Sequence, residues 1–374
     1  MKGTMKFTVD RQQFLKAITT VDGIIPSREI RSVYSNVLIE ADKGEAVFTT
    51  TDLEIALKTT LPITLDKKGG TTVPAKKLTQ VIGAMDGETI EISLDDDKLI
   101  ISSPKARTKP RVNLVTSPTS DYPPTPSPSS EDLISFSPAV FREMILKTYY
   151  SMAQDDSRYV FNGLFLKSQK NSNIVVATDG RRLSKISRDF PSALPFKDGV
   201  IIPAKAIKEL VRLLDAGEEA MIAYDDKDKR VHFRIGRVDL VTKLIDGAFP
   251  DYEQVIPRKL DYKIRINRID LEKAIKQAAS VAIEPARQVR FIFSEGTVGF
   301  QASTPDLGGS ESSLECEYSG PEMVIGFNSV YLMDVLKVIP GEDVILGFSS
   351  PSSPCTVGDP ADPDFLSVVM PMKI

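Results

Sequence analysis

Apolar residues recur with helical spacing at three places along the chain, each time in the same order. The three stripes begin at Phe14, Phe141 and Leu271, and their starts are 127 and 130 residues apart. Each stripe continues at positions i+4, i+7 and i+11, a spacing that lines one face of an amphipathic helix. The stripes are Phe14, Ile18, Val21 and Ile25; Phe141, Ile145, Thr148 and Met152; and Leu271, Ile275, Ala278 and Ala282.

A second helical stripe, with apolar residues at i, i+3, i+4 and i+7, also occurs three times. A glycine followed by a glutamate ends each copy, and we expect Gly87, Gly217 and Gly341 to adopt the left-handed conformation of a helix C-cap. The stripes are Leu78, Val81, Ile82 and Met85; Ile207, Leu210, Val211 and Leu214; and Leu332, Val335, Leu336 and Ile339.

Between and after these helices, apolar and polar residues alternate as they do in antiparallel strands, for example in ETIEISL (88–94) and KLIISS (98–103). A Thr-Asp pair recurs at residues 51–52 and 178–179, with a looser copy at 304–306. We therefore predict three tandem copies of one α+β domain, in which helices cover one face of antiparallel sheets. The predicted domains are residues 1–130, 131–258 and 259–374.

The first joint between the copies is unusual in composition. Residues 116–131 (TSPTSDYPPTPSPSSE) are rich in proline and serine. This composition favours a short interdomain link, since a new copy begins directly afterwards, but it is also typical of a polyproline ligand for a recognition module. The second joint lies near residues 255–263 (VIPRKLDYK).

Composition narrows the class of protein. At 374 residues, the chain exceeds what one hydrophobic core usually supports. No apolar run approaches the roughly 18 residues that cross a bilayer, and the start MKGTMKFTVD lacks a signal-peptide apolar region, so we expect a cytoplasmic protein without membrane contact. Cys316 and Cys355 are too few for a disulfide framework or a zinc site, and we expect both to be buried thiols.

Candidate catalytic residues are scarce. His232 is the single histidine, and we expect it to face solvent on a strand, without a role as general base or metal ligand. No nucleophile–base pair and no phosphate-binding glycine pattern is present. Acidic clusters at residues 95–97 and 225–228 suggest metal binding, but hairpin turns between strands explain them better. The sequence thus predicts neither an enzyme nor a bound cofactor or metal.

The distribution of charge points to a polyanionic partner, although the net charge is −4. The six predicted helices contain thirteen basic and seven acidic side chains, so the rest of the chain carries the acidic excess. A solvated face would explain one such helix; for six equivalent helices, a shared surface that attracts phosphates is the better explanation. We expect Lys76, Lys205 and Lys273 on that surface. The predicted helices are residues 11–22, 75–85, 138–154, 204–215, 268–280 and 328–338.

Three local sequences carry a resemblance to one family: ATDGRRLS (177–184), DGAFPDYEQVIP (246–257) and VVMPMKI (368–374). With the threefold repeat, they make the chain resemble the bacterial DNA polymerase III β subunits, the sliding clamps, over essentially its whole length. The resemblance implies a closed ring of two chains joined head to tail, with helices lining the hole and sheets outside. Such a ring encircles duplex DNA and tethers the replicative polymerase without an active site.

The resemblance also implies partners. They are a second copy of the chain, double-stranded DNA without sequence preference, the DNA polymerase III α subunit, the clamp loader complex, and other polymerases and repair proteins with clamp-binding peptides. Val112 and Leu114 of one subunit are expected to pack near Val281 of the other. An interaction scaffold that does not bind DNA is the main alternative, and it lacks the stable dimer that a ring requires.

By the same resemblance, we expect a partner-peptide pocket between the second and third domains. Its methionines offer adaptable apolar surface, although core filling is an equal explanation for Met370 alone. Arg182 and Lys373 are expected to frame a peptide with polar contacts, and Gln254 stands where relatives carry a basic residue. The pocket residues are Phe161, Thr178, Gly180, Arg181, Arg182, Leu183, Pro250, Val255, Asn328, Tyr331, Ser353, Val368, Met370, Pro371, Met372 and Lys373.

The family's DNA-contacting positions transfer less completely. Arg28, in the loop PSREIRS, and Lys76 match positively charged contacts, and Tyr159 stands where a pair of aromatic residues is common. Asp155 replaces an uncharged contact, which argues against DNA binding at that point. Lys205 joins the predicted DNA-binding residues through the helix-charge argument.

Overall fold

The computed structural model describes residues 4–25, 33–126, 132–170, 172–190, 192–215, 219–282 and 287–374. The chain divides into two compact units, residues 1–138 with 208–244 and residues 139–207 with 245–374. Helices and antiparallel strands together confirm the predicted α+β class. The described helices are α1 (Arg11–Val21), α2 (Ala75–Ala84), α3 (Pro138–Leu146), α4 (Ala204–Leu214), α5 (Arg268–Ala279) and α6 (Ser329–Val338).

The first unit contains a five-stranded sheet in the order β5-β1-β7-β8-β9 and an eight-stranded sheet in the order β10-β15-β16-β17-β4-β3-β2-β6. Helix α1 packs against α2 and against β3 and β4. The strands are β1 (Met5–Asp10), β2 (Asn36–Asp42), β3 (Glu45–Thr51), β4 (Ile55–Pro62), β5 (Thr64–Lys67), β6 (Gly69–Pro74), β7 (Thr89–Asp95), β8 (Lys98–Ser102), β9 (Arg111–Val115), β10 (Ile134–Phe136), β15 (Ala220–Asp225), β16 (Arg230–Ile235) and β17 (Val238–Lys243).

The second unit contains an eight-stranded sheet in the order β14-β11-β12-β13-β25-β24-β23-β18 and a four-stranded sheet in the order β21-β20-β19-β22. Helix α5 packs against α6 and against β20 and β21. The strands are β11 (Gly163–Gln169), β12 (Ser172–Thr178), β13 (Arg182–Asp189), β14 (Val200–Pro203), β18 (Tyr262–Asn267), β19 (Gln288–Ser294), β20 (Thr297–Thr304), β21 (Gly308–Glu315), β22 (Met323–Asn328), β23 (Asp343–Phe348), β24 (Cys355–Asp359) and β25 (Asp362–Val369).

Several helices begin directly after a strand, because the last strand residue is a capping residue. Asp10 accepts a hydrogen bond from the Gln13 amide at 2.8 Å, and Asn267 and Asn328 cap α5 and α6 in the same way. An Asp or Asn side chain at this position satisfies an amide that the first helical turn leaves unpaired. The capping residues thus fix where each strand gives way to its helix.

The apolar stripes are buried as predicted except at the half-buried Val81, Val211 and Ala282, but one helix is shorter than expected. Phe141 and Ile145 are fully buried on α3, which ends at Leu146 rather than continuing to residue 154. The Thr148 hydroxyl donates to the Met144 carbonyl at 2.7 Å and competes with the helical ladder there. Thr148 and Met152 are buried from the irregular segment that follows.

The predicted glycine C-caps are wrong where the structure describes them. Met85 is the C-cap residue of α2 and is extended, while Gly87 has a φ of +95° two residues later, in the turn. A Cβ on Gly87 would lie 2.5 Å from the Ser103 hydroxyl, so close approach in this turn requires glycine. Gly341 is not in the left-handed region, and Gly217 lies outside the described residues.

Two predictions about polar side chains are corrected. His232 does not face solvent: its side chain lies between Ala223 and Val241 of the neighbouring strands and the residue is 3% exposed, so burial lowers the imidazole pKa. Cys316 is half-buried, not buried like Cys355. Burial raises the pKa of both thiols, that of Cys355 to about 12, so both are protonated at neutral pH.

The Pro- and Ser-rich segment is docked where the structure describes it. The Ser117 and Thr72 backbones hydrogen bond in both directions at 3.0 Å. The Tyr122 hydroxyl, which is buried, lies 3.3 Å from the Asn36 carbonyl and 3.2 Å from the Thr49 carbonyl. Residues 116–126 therefore lie against the eight-stranded sheet of the first unit, and residues 127–131 lie outside the described part of the chain.

Candidate functional site

The loop between β12 and β13 holds the Thr-Asp pair of the second copy in a closed turn. The Thr178 hydroxyl donates to the Arg182 carbonyl at 2.6 Å and accepts from the Gly180 amide at 3.0 Å. Asp179 accepts from the Arg181 and Arg182 amides at 2.9 and 3.0 Å. Gly180 has a φ of +82°, which an L side chain adopts only with strain. The sequence TDGRR therefore sets a fixed backbone turn.

An apolar floor lies beside this turn. Leu183 on β13 is paired with Val368 on β25, and both are buried. They join Phe165, Ile174 and Val176 in one cluster. One row of apolar residues runs across β11, β12, β13 and β25. This face of the sheet is therefore apolar, whereas the face of an antiparallel sheet that contacts water is usually polar.

Residues 245–256 form one wall over this floor. The Phe249 ring stacks on Phe165 with ring centroids 4.7 Å apart, and Tyr252 packs on the same cluster. Pro250 between them is exposed, and Val255 is 40% exposed. The two aromatic rings thus anchor a segment that presents Pro250 and Val255 outward.

The C-terminal residues form the opposite wall. The Met370 amide donates to the Arg181 carbonyl at 2.9 Å, and the Met372 amide donates to the Gly326 carbonyl at 2.8 Å. Met370, Pro371 and Met372 are half-buried. The backbone is therefore fixed at two points while both methionine side chains keep accessible surface, so core filling does not account for them.

Arg182 was expected to contact a peptide, but its side chain forms ion pairs within the protein instead. Its guanidinium donates to Asp179 at 3.0 Å and to Asp334 at 2.8 Å, and its side chain is 12% exposed. It also lies over the Tyr331 ring at 4.5 Å and the Tyr150 ring at 5.8 Å. The charge of Arg182 is thus compensated within the protein, and its role at this site is to hold β13 and α6 together.

A buried hydroxyl network lies beneath Arg182. Ser184 lies 2.7 Å from the Tyr150 hydroxyl, 2.8 Å from Ser151 and 3.0 Å from Ser367. Burial raises the pKa of Tyr150 to about 12, so the phenol stays protonated at neutral pH. These bonds satisfy polar groups beneath the floor and join β13 to β25.

Sequence reasoning missed four residues at the site. Arg158 lies over the Phe161 ring at 4.4 Å and within 3.3 Å of the Asp179 carbonyl. Asp156 holds it with a bond of 2.8 Å, and the hydrogen bonds from Arg158 lower the pKa of Asp156 to about 2. Tyr150 and Asp334 act through Arg182, as described above. The sequence contains no local signal for these roles, because the contacts with Asp179 and Arg182 join separate segments of the chain.

The other predicted pocket residues lie at the margins. Asn328 uses its side chain to cap α6, and Ser353 bonds to Ser350 in a turn before β24. Arg181 and Lys373 are exposed, and the Lys373 carbonyl accepts from Gln288 at 2.8 Å. Of the predicted cations, Arg181 and Lys373 therefore remain available at the surface of the site.

Four charged residues connect β25 to the second copy. Arg188 on β13 donates to Asp362 at 2.5 Å and to Glu143 at 2.7 Å, and Lys147 binds Asp362 at 2.6 Å. Lys147 is buried in this cluster, so it does not belong to an exposed basic helix face. Burial acts to raise the pKa of Asp362, but the hydrogen bonds from Arg188 and Lys147 outweigh it and the pKa lies below its ordinary value.

The predicted DNA-binding residues lie at exposed positions where they are described. Lys76 and Lys205 are exposed on the first turns of α2 and α4, and Tyr159 is 73% exposed. Asp155 is exposed with a φ of 55°. Arg28 lies outside the described residues.

The predicted dimer residues occupy sheet margins. Val112 and Leu114 are half-buried on β9, which ends its sheet, while Arg111, Asn113 and Val115 alternate with them and are exposed. In the other unit, Val281 follows α5, and its carbonyl accepts a hydrogen bond from the Thr304 hydroxyl at 2.5 Å. The edge strand β9 thus has one row of exposed residues and one row of half-buried residues.

The acidic clusters are hairpin turns, as predicted. Residues 96–97 join β7 to β8, and Asp225 accepts from the Lys227 and Asp228 amides at 3.1 Å between β15 and β16. Across the described ranges, no group of three or more His, Cys, Asp or Glu side chains is arranged to hold a metal ion. In the same part of the chain, every helix is too short or too polar to traverse a bilayer.

Three consecutive family models match the chain. The N-terminal, central and C-terminal domains of the DNA polymerase III beta subunit match residues 5–126, 135–251 and 253–373. Beta sliding clamps of Salmonella typhimurium and Escherichia coli are 33% and 32% identical to it, and each match covers 99% of this chain and 100% of the relative.

Solved structures of sliding clamps are similar to this chain over its whole length. The Caulobacter crescentus beta sliding clamp has a TM-score of 0.93 at 30% identity and full coverage of both chains. A Pseudomonas aeruginosa sliding clamp bound to griselimycin has a TM-score of 0.91 at 33% identity, again with full coverage of both.

Proposed function

Because the chain belongs to the DNA polymerase III beta subunit family, we propose that two copies close head to tail around duplex DNA and that the site described above binds partner peptides. The chain is built of three tandem clamp domains and acts as a DNA sliding clamp. It is a non-catalytic processivity factor that tethers the replicative polymerase in chromosomal replication.

Ring closure is supported by one observation above all. In the described part of the chain, the sheets that end at β9 and at β21 each lack a neighbouring sheet, which the equivalent strands of the other copies have. In the eight-stranded sheets, two groups of four strands join at the pairs β4–β17 and β13–β25. The strands equivalent to these are β21 and β9, and among the described strands each pairs on one side only. An unpaired edge is a template for another strand. Pairing β9 of one protomer with β21 of its partner completes a third sheet of the same arrangement, with β5 as a ninth strand at its edge.

The joined seams predict the register of the new one. Val241 lies opposite Ala56 in one seam, and Val368 lies opposite Leu183 in the other. The topologically equivalent residues are Asn113 and Gly309, so Asn113 of one protomer would face Gly309 of the partner subunit. Arg111 and Glu311, two residues away, then oppose each other with complementary charge.

The remaining dimer residues fit the same register. Val112 and Leu114 alternate with Arg111, so they lie on the helix-covered face of β9. Val281 lies at the end of α5, on the helix-covered face of the other half-sheet. The β9 side of the seam would therefore contribute an apolar inner row, and the outer row would contain the pair of Arg111 with Glu311 of the partner subunit. Oxidising the double variant Asn113→Cys/Gly309→Cys should give a covalent dimer, whereas Val115→Cys/Gly309→Cys should not, because its residues fall out of register.

DNA binding is supported by exposed cations on a helix of each of the three copies. Lys76, Lys205 and Lys273 are exposed on α2, α4 and α5. Exposed lysines contact phosphates without reading bases, as a clamp that slides requires. Tyr159 supplies an exposed ring, and we assign it and Arg28 as further DNA contacts by their resemblance to the family's pattern.

Peptide binding is supported by the shape and chemistry of the site. An apolar floor at Leu183 and Val368 lies between the wall of Pro250 and Val255 and the wall of Met370. Arg181 and Lys373 flank it with positive charge. We propose that peptides with a glutamine and spaced apolar residues dock here, from the polymerase III α subunit, the clamp loader, and other polymerases and repair proteins. The protein would act in the cytoplasm, at the nucleoid.

Retention on circular DNA tests the ring. The protein is loaded onto nicked circular DNA with a clamp loader, and the DNA is then cut. We expect retention on circles and rapid loss from linear DNA. The variant Lys76→Glu/Lys205→Glu/Lys273→Glu should load less well, and the salt dependence of direct binding should fall by about one unit of slope for each lost contact. Equal retention on circular and linear DNA would show that no topological ring forms.

A further inference from the structure

Beyond the bond from the Met370 amide to the Arg181 carbonyl, the C-terminal wall of the pocket is held by a backbone bridge to Gly326 on β22. Met372 donates to the Gly326 carbonyl at 2.8 Å, and this bridge lies outside every regular strand pair of the described chain. Beside it, the Gln288 side chain donates to the Lys373 carbonyl at 2.8 Å. Two hydrogen bonds to neighbouring strands thus fix residues 372–373, and together with the bond from the Met370 amide to the Arg181 carbonyl they fix the course of residues 370–373.

Gly326 has no room for a side chain. A Cβ at this position would lie 2.7 Å from Gln288 Nε2, 3.0 Å from the Met372 carbonyl oxygen and 3.2 Å from Ile374 Cγ1. The φ of Gly326 lies outside the left-handed region, so its backbone conformation does not require glycine. The space does, because the C-terminal segment lies directly against the strand.

The other two copies contain the same bridge without this restriction. The Ser117 amide donates to the Thr72 carbonyl at 3.0 Å, and the Ile245 amide donates to the Ile201 carbonyl at 2.9 Å. Thr72, Ile201 and Gly326 occupy one repeat position, two residues before the residue that precedes α2, α4 and α6. Side chains are therefore compatible with the bridge itself, and glycine is specific to the copy whose bridged segment forms the C-terminal wall of the pocket.

We infer that Gly326, with Gln288, is a positioning residue of the partner-peptide pocket: it sets the height of residues 370–374 above β22 and so the width of the pocket. Neither Gly326 nor Gln288 is among the residues that line the apolar floor. The inference rests on the proposed peptide-binding function, but the position of the segment can be measured without a peptide.

The test compares Gly326→Ala with Gly358→Ala in the full-length chain. Gly358 lies on β24, and nothing lies within 4 Å of the position that its Cβ would take, so this control adds the same methyl group without contact. Peptide affinity is measured by calorimetry with a polymerase-tail peptide that carries a glutamine and spaced apolar residues. Carbon-13 methyl NMR of Met370 and Met372, without peptide, reports the position of the segment.

We expect Gly326→Ala to shift both methionine methyl signals and to weaken peptide binding about tenfold or more, while Gly358→Ala changes neither. Gln288→Ala removes one hydrogen bond without adding a clash and should give a smaller shift in the same direction, which keeps the test valid if Gly326→Ala does not fold. Unchanged methyl signals and native affinity in both variants would overturn the inference. If the wild-type chain binds no peptide, the proposed pocket fails, and the methyl signals still decide the role of Gly326.

Discussion

The first and second copies contain the same turn but not the same pocket. The Thr51 hydroxyl donates to the Ile55 carbonyl and accepts from the Leu53 amide, as Thr178 does with Arg182 and Gly180. In both turns the aspartate caps the amides two and three residues later. The bond from the following segment is equivalent too, since the Lys243 amide donates to the Glu54 carbonyl at 2.8 Å.

The side chains around the two turns differ. Ala56 pairs with Val241 in the first copy where Leu183 pairs with Val368 in the second. On the same face, Thr49 stands where Val176 stands, and the exposed Lys243 stands where Met370 stands. The comparison teaches that backbone geometry is shared by the repeat, whereas binding chemistry depends on the few side chains that form floor and wall.

Removing the C-terminal wall should have the largest effect. Deletion of residues 370–374 removes two methionines, and at about 0.8 kcal/mol for each buried CH₂ the loss should reach several kcal/mol. Peptide affinity should then fall roughly a hundredfold or more, because each 1.4 kcal/mol is about tenfold. Calorimetry measures this, and sedimentation should show an intact dimer, since the proposed seam uses β9 and β21. Native affinity after the deletion would disprove the pocket assignment.

Replacing Arg182 with the residue of the first copy should have the next largest effect. Arg182→Ile leaves Asp179 without its cation and Asp334 with only the exposed Lys337, and both carboxylates are mostly buried, so we expect the free energy of unfolding to fall by about 2 kcal/mol in urea titrations. The double variant Arg182→Ile/Asp334→Asn should recover part of the loss, because it removes a carboxylate that has lost its buried partner. If the single and double variants were equally destabilised, the ion pair would not be the cause.

The acidic side of the charged cluster predicts a pH dependence. The pKa values of Asp362 and Glu143 are lowered in the folded state, so the stability they add is present above their unfolded pKa values and is lost as pH falls through the folded ones. Asp362→Asn should therefore cost about 1 kcal/mol at about pH 7 and progressively less in acid.

Thermal unfolding from neutral pH down to roughly pH 3 measures this difference. Asp239→Asn, which breaks the Arg234 pair in the hairpin of β16 and β17, is the matched control, and we expect a smaller loss because that pair is more exposed. A difference between wild type and Asp362→Asn that stays constant with pH would contradict the assignment.

The smallest expected effect lies in the turns themselves. Leu53 has a φ of 79° and Gly180 a φ of 82°, so leucine adopts in the first copy a conformation that favours glycine. Leu53→Gly should raise the free energy of unfolding by about 0.5 kcal/mol, because relief of strain exceeds the added entropy of the unfolded chain.

The converse change, Gly180→Leu, should lower stability and also displace Arg158, whose Nη1 would lie 3.0 Å from the new Cβ. Urea titration of both variants checks the pair. If Leu53→Gly and Gly180→Leu lowered the stability by equal amounts, the left-handed backbone conformation would not be what favours glycine in these turns.

Local chemistry explains what could be predicted from the sequence. The repeat, the six helices and the hairpins follow from periodicity and capping residues within short segments, and the Thr-Asp signature defines a turn through bonds that join residues close together in the chain. The end of α3 was missed because Thr148 interrupts the helix with a side-chain bond that the apolar stripe does not reveal. His232 was misplaced because alternation along β16 does not report how closely the neighbouring strands pack.

Contacts between distant segments were decided by the tertiary structure alone. Arg182 is paired with Asp334 across 152 residues, and Gln288 binds Lys373 across 85. Sequence spacing constrains side chains that share a helix or a strand, but it carries no information about which charges or strands meet once long loops close. The sequence therefore determined the repeated elements and their apolar faces, and only the packing of the chain determined that one turn of two lies beside an apolar floor with a wall fixed at Gly326.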